Sequence, residues 1–160
     1  MKVNHYLAIL FLANYLMISC SSGDDEEFSL VGTNTSVADL SGNWNATRAV
    51  FDRYTSGPVA QTDVVAEGGT VTLNIQNTGR FTLTVTEQGA APETTTGRLA
   101  FDEDLLVIFF DENPEDWEYF SITHSEPNLS ISGGNGSAEW DFDGDGTEEP
   151  ANVDFAFVRI

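Results

Sequence analysis

The chain has 160 residues, of which 26 are acidic and six are Lys or Arg, for a formal net charge of −20. Nucleic-acid binding rests on basic contacts to phosphate, so this balance excludes it and favours solubility, divalent cations or basic partners. Cys20 is the one cysteine, which excludes an internal disulfide, and His124 is the one histidine after it, which argues against a His-rich transition-metal site.

The chain opens with Lys2 and a mostly apolar run over residues 6–18. That run is shorter than the roughly 20 residues a membrane-spanning helix needs. A basic start, a short apolar core and a small residue before a cut are the marks of a secretory signal. Ser19 is that small residue, and Cys20 follows it. These residues resemble a bacterial lipoprotein signal, with Met17 and Ile18 standing where Leu and a small residue are usual. The resemblance implies cleavage before Cys20, a diacylglycerol on its thiol and a fatty acid such as palmitate on its new amine. Two or more acyl chains would hold the protein at a membrane without a spanning helix. The alternative is an ordinary secretory signal cut elsewhere.

Asp24, Asp25, Glu26 and Glu27 follow Ser21-Ser22-Gly23. This run resembles the export signal that some Gram-negative lineages use to place lipoproteins on the outer face of the outer membrane. The alternative is a solvated acidic linker. The expected organisation is a signal peptide at 1–19, a lipidated acidic linker at 20–39 and one folded domain at 40–160. As a flexible coil the linker would span about 25 Å. After Cys20 the chain keeps five arginines, no lysine and all 26 carboxylates, a net charge of −21.

The folded part opens on a strand entered through Gly42, with Leu40, Trp44, Ala46 and Val50 expected on one face. Gly57-Pro58 and Gly68-Gly69 mark a long loop. Val71, Leu73 and Ile75 alternate with polar residues, as do Phe81, Leu83 and Val85; Asn77-Thr78-Gly79 between them makes a β-hairpin. A Thr-rich strand is expected at 93–101. Residues 105–110 are apolar on both faces, which suggests a strand covered on two sides. Alternation resumes at 117–124, 138–142 and 153–159, with a short strand at 129–132. No convincing 3.6-residue apolar period follows the signal. The expected fold is all-β: an antiparallel meander of eight to nine strands closed into a barrel, with a β-sandwich as the alternative.

Gly42-Asn43-Trp44 on the first strand, with Arg159 near the end of the last, resembles the lipocalin pattern. In that family a Gly-x-Trp opens the first strand, and an arginine from the last strand packs on the tryptophan to close the barrel base. The chain looks closest to lipocalin-like domains of bacterial surface lipoproteins, although no helix is recognisable after the barrel. The resemblance implies a lumen that holds a small apolar ligand, walled by inward residues such as Leu73, Leu83, Val107 and Phe120.

Asp141, Asp143 and Asp145 alternate and are followed by Gly146. This matches the first half of an EF-hand loop, but Asn152 replaces the bidentate Glu and Pro150 blocks a following helix. A strand-flanked calcium loop would use Asp141, Asp143 and Asp145, completed by the Thr147 carbonyl or Glu149. The alternative is a plain hairpin turn, which Asp143-Gly144 and Asp145-Gly146 also suit.

No nucleophile–base pair of a hydrolase is evident, since His124 is the one candidate base of its type and no Gly-x-Ser-x-Gly surrounds a serine. Glu112, Glu115, Asp116 and Glu118 contain the spacing of a glycosidase pair, but a chain this acidic supplies such pairs by chance. Phe109, Phe110, Trp117 and Tyr119 can stack a sugar or line an apolar pocket. The reading is a lipid-anchored envelope binding module rather than an enzyme. Its competitor is a calcium-stiffened structural or adhesive surface domain that contacts glycan or another envelope protein. Cofactors beyond that calcium are not expected.

Overall fold

Alternating apolar and polar residues give a strand one wet and one dry face, and antiparallel neighbours with matching phase share the dry one. In the structure, a computed structural model that describes residues 28–54 and 60–160, this rule builds a closed barrel. Its wall consists of β1 (Gly42–Arg53), β3 (Thr70–Ile75), β4 (Arg80–Thr86), β5 (Glu93–Asp102), β6 (Leu105–Phe110), β7 (Trp117–Ser125), β8 (Asn128–Gly133) and β10 (Glu149–Arg159). Each pairs antiparallel with its neighbour, and β1 pairs with β10 to close the ring. Two short strands lie beside this ring of eight: β2 (Gln61–Asp63) continues the wall along β1 beyond β3, and β9 (Ala138–Trp140) continues it along β10 beyond β8. Among the described residues the strands therefore number ten, where eight to nine were expected. The extra pairings arise because β1 and β10, of 12 and 11 residues, outrun their neighbours.

The hairpin expected around Asn77-Thr78-Gly79 forms, with Leu73 opposite Leu83 and Ile75 opposite Phe81. Gly79 has a φ of +87°, the left-handed conformation a side chain disfavours. The last strand starts at Glu149 rather than 153, because Glu149, Pro150 and Ala151 pair with β9.

Phase is broken once in β1. Ala46 pairs with Phe157 and Arg48 with Ala156, so Thr47 is an extra residue in the ladder. Such a bulge reverses which side chains face inward beyond it. Trp44, Ala46, Ala49 and Phe51 consequently join the inner cluster. Val50, expected on the Trp44 face, is buried but lies outside that cluster. Val107 departs in the same way. It pairs with Ala100 and Tyr119, on the opposite face from Leu106 and Ile108, and is fully buried without lining the lumen.

The folded unit begins before Leu40, which corrects the expected linker boundary. Ser29 pairs with Phe101, and the Thr33 N–H donates to the Glu103 carbonyl at 3.1 Å. The Phe28 ring meets Phe109 at 5.3 Å and Trp117 at 5.5 Å, edge to face in both cases. A single helical turn, α1 (Val37–Leu40), then leads into β1. Ser36 caps it: its Oγ accepts from the Asp39 N–H, while the Asp39 carboxylate accepts from the Ser36 N–H. Val37 and Leu40 are fully buried. Of the apolar residues of the supposed linker, Val37 is buried in the core with Leu40 and Phe28 packs on Phe109 and Trp117, whereas Leu30 and Val31 stay exposed. What remains of that linker, 20–27, lies outside the described residues, as do the signal at 1–19, Cys20 and the Gly57-Pro58 part of the expected loop.

Candidate functional site

One end of the barrel is sealed. Trp44 enters it from β1, and its Nε1–H donates to the Leu40 carbonyl at 2.8 Å. The Arg159 guanidinium lies over the indole, 4.2 Å from the ring centroid. Its Nη1 donates to the Ser41 carbonyl, its Nη2 to the Asp39 carbonyl at 2.6 Å and its Nε to Glu126 at 3.0 Å. One charged group therefore satisfies the end of α1 and covers the tryptophan together, combining buried area with cation–π attraction. Gly42 is required here for two reasons. Its φ is +141°, and a Cβ there would stand 2.6 Å from Arg159 Nη1. The structure thus brings Gly42, Trp44 and Arg159 into one plug.

His124 sits beneath the plug, edge to face with Trp44 at a centroid distance of 6.0 Å. It belongs to the sealed end.

The other end is open. Above Trp44, Leu106 and Leu129, all fully buried, the wall widens into a cavity of about 630 Å³. Phe51, Leu73, Phe81, Leu83, Ile108 and Phe120 are among the apolar residues of its wall. Trp140 reaches it from β9 and stacks on Phe51 at 4.1 Å. Phe110 and Trp117 line it, whereas Phe109 and Trp117 also meet Phe28, so Trp117 sits where wall and outer surface join. Acidic residues stand around the mouth: Glu93, Glu112, Asp116, Glu118 and Glu148, all exposed, while Glu139 belongs to the lining but alternates with the inward Ala138 and Trp140. The four-residue group considered as a glycosidase pair is split, since Glu115 is not part of this lining. Glu93 and Glu148 were not singled out from sequence. Glu93 opens β5 and Glu148 lies in the loop before β10, and only the ring closure shows that they share one rim.

Asp111, beside this mouth, is held ionised. Its carboxylate accepts from Arg80 Nη1 at 2.8 Å and Nη2 at 2.6 Å, and from the Thr96 hydroxyl at 2.6 Å. The Arg80 bonds first, then Thr96, lower its pKa from 3.8 to about 2. A carboxylate whose folded pKa is depressed adds stability above its unfolded value and loses it as pH falls through the folded value. The Tm difference between wild type and Asp111→Asn is therefore expected to be full at pH 6. It should narrow from about pH 4 and vanish near pH 2, read by melting curves at each pH. A difference that persists unchanged below pH 2 would contradict this assignment.

The acidic loop between β9 and β10 is closed by its own backbone. Carboxylate oxygens of Asp141, Asp143 and Asp145 lie within 4.8 Å of one another. Asp141 accepts from the Gly144 and Gly146 N–H groups, each at 2.8 Å, and from Asp145 N–H at 3.2 Å. These bonds, Gly146 foremost, lower its pKa. Asp143 accepts from the Asp145 N–H, and Asp145 from the Thr147 N–H. Glu149 stands apart from the three: one oxygen pairs with Arg53 and the other accepts from the Phe142 N–H at 3.0 Å. Of the expected calcium ligands, the structure therefore brings together three aspartates and ties Glu149 to Arg53.

The molecule is a closed eight-stranded antiparallel β-barrel, sealed at one end and open at the other, with two short additional strands. No protein-family model and no curated protein matches the chain. Two solved structures do. One is an uncharacterized protein from Bacteroides eggerthii, 11% identical, with 76% of this chain and 100% of that one covered and a TM-score of 0.42. The other is a lipocalin-like protein from Bacteroides uniformis, 16% identical, with 76% and 99% covered and a TM-score of 0.42. The fold class rests on the strand pairing of this chain itself.

Proposed function

We propose that this chain is a cell-envelope binding module, anchored through a lipid on Cys20, that holds a small and mostly apolar ligand in the lumen of its barrel. The observation that carries the binding reading is the open apolar cavity of about 630 Å³. Small-molecule sites commonly enclose roughly 300–1,000 Å³ with apolar walls and a few polar groups. A barrel used only as a scaffold has no need of that space, since barrels of eight strands are narrow enough for side chains to fill. Binding rather than catalysis fits a site whose polar groups are exposed carboxylates around a mouth. The basic start, short apolar core and Ser19-Cys20 junction support the anchor, and the acidic run at 24–27 supports the outer face of the outer membrane.

Native mass spectrometry of residues 28–160 against a panel of apolar small molecules tests the binding half. Adducts of one ligand per chain are expected, and a chain that captures none contradicts it. Labelled palmitate fed to a Gram-negative host tests the anchor. Label is expected on the wild type and not on Cys20→Ser; equal labelling of both would remove the anchor.

One observation favours a second reading, a calcium-stiffened structural or adhesive domain that contacts glycan or another envelope protein: three aspartates converge within 4.8 Å. That reading expects millimolar calcium to raise the Tm, and Asp143→Asn with Asp145→Asn to abolish the rise. A Tm indifferent to calcium removes it.

A further inference from the structure

We propose that the lumen's ligand carries a positive charge: an apolar amine, its alkyl or aryl body against the inner wall and its ammonium group at the mouth. This rests on the binding reading above and adds the chemical class of the ligand.

The inference comes from a charge imbalance at the cavity. Among the described residues five acidic side chains stand around its mouth and no basic residue belongs to the lining. The arginines are each engaged outside that lining, Arg80 beside the mouth with Asp111. Arg48 pairs with Asp154, Arg53 with Glu149, Arg80 with Asp111 and Arg159 with Glu126. Arg98 lies over the Phe109 ring at 5.2 Å, and Phe109 is not part of the lining. No lysine follows Lys2. Like charges around a concave, low-dielectric mouth focus the potential there and raise the local concentration of the opposite charge.

The same imbalance decides against other occupants. An anionic amphiphile would bring its carboxylate among the acidic residues of that rim. A bare metal ion needs ligands that converge. Among the described residues the acidic side chains close enough to share an ion are Asp141, Asp143 and Asp145, none of which lines the cavity. Carboxylates spread around a rim suit a single diffuse cation on an apolar body. The wall adds to this. Phe110 and Trp140 belong to the lining and pack against the inner cluster, and an ammonium group is drawn to aromatic faces. Ser137 also lines the cavity, and its Oγ is buried with no hydrogen-bond partner among the described residues. A hydroxyl oxygen so placed can accept an N–H.

Three probes of equal chain length separate charge from apolar area: dodecylammonium, dodecanol and dodecanoate. Binding to residues 28–160 is followed by calorimetry below the micelle concentration, at low salt and pH 7.5. Dodecylammonium is expected to bind about tenfold tighter than dodecanol, since several carboxylates act together on one unit charge. Dodecanoate should bind more weakly than dodecanol. The gap should shrink at about 0.5 M salt, where screening acts within a few ångströms. Glu93→Gln, Glu118→Gln and Glu148→Gln combined, which leave Glu112 and Asp116 in place, should narrow the preference for dodecylammonium more than they change dodecanol binding.

Equal binding of the three probes overturns the charge inference and leaves the lumen reading standing. Binding of none overturns the lumen reading itself. A preference for dodecylammonium that survives narrowing of the lumen by Leu83→Trp with Thr95→Trp places the cation on the outer surface, and also overturns the proposal.

Discussion

Trp44→Ala is expected to destabilise the barrel by about 4 kcal/mol, lowering the Tm by roughly 15 °C. Trp44 is fully buried, so its loss opens a cavity at the sealed end. Two further effects add to the lost contact area. The Leu40 carbonyl loses its 2.8 Å donor, and the Arg159 guanidinium loses the ring 4.2 Å beneath it. A domain of this size is stable by only about 5–15 kcal/mol, so this single change removes a large share. Trp44→Phe keeps much of the apolar area but not the hydrogen bond, and should cost about 1–2 kcal/mol. Arg159→Lys keeps the charge but not the planar fork, and should cost about 1 kcal/mol. Thermal and urea melts of the three variants check the ranking. An alanine variant as stable as Arg159→Lys would show that the plug does not hold the barrel closed.

The second large effect concerns the open end. Leu83 and Thr95 face each other across β4 and β5, and both line the cavity. Leu83→Trp with Thr95→Trp projects two indoles into the lumen from adjacent strands. About 55 Å² of ligand surface kept wet costs about 1.4 kcal/mol, which is a tenfold loss of affinity. Two indoles displace more contact than that, so binding of dodecanol should fall by at least about tenfold. The fold should survive, because the new rings enter space the wild type leaves open rather than a packed core. Calorimetry with melting curves on the same samples checks both halves; unchanged affinity in a folded variant would place the ligand elsewhere.

Much of the barrel was legible because its strands alternate. The hairpin of β3 and β4 has its phase, its turn residues and its register written in a dozen neighbouring positions. The sealed end was legible for a different reason. Gly42, Trp44 and Arg159 form a pattern that geometry explains: a side chain at 42 would strike the guanidinium that covers the tryptophan. What the sequence hid depends on contacts between distant segments. The bulge at Thr47 leaves no mark in the local pattern, yet it turns Val50 away from the Trp44 face. Val107 sits in a run that is apolar on both faces, so periodicity offers no phase by which to place it. The stretch 28–39 looked like linker because its apolar residues follow no period. Phe28 and Val37 nonetheless pack on the barrel, and Ser36 and Asp39, three apart, carried the signature of a capped turn. The acidic rim was the least legible feature. Its residues come from separate strand ends and loops, and closure of the ring alone makes them one site.

The proposed function places an apolar ligand in the lumen and not on the outer surface. Methyl-resolved NMR of residues 28–160 titrated with dodecanol tests it most directly, because the two faces of the wall carry separate reporters. Leu73, Leu83 and Ile131 line the cavity, whereas Leu105, Val107 and Ile160 do not. Saturable shifts confined to the first group are expected, reaching an end point at one ligand per chain. Shifts that begin at Leu105 or Ile160, or an inner group that does not respond, would contradict it.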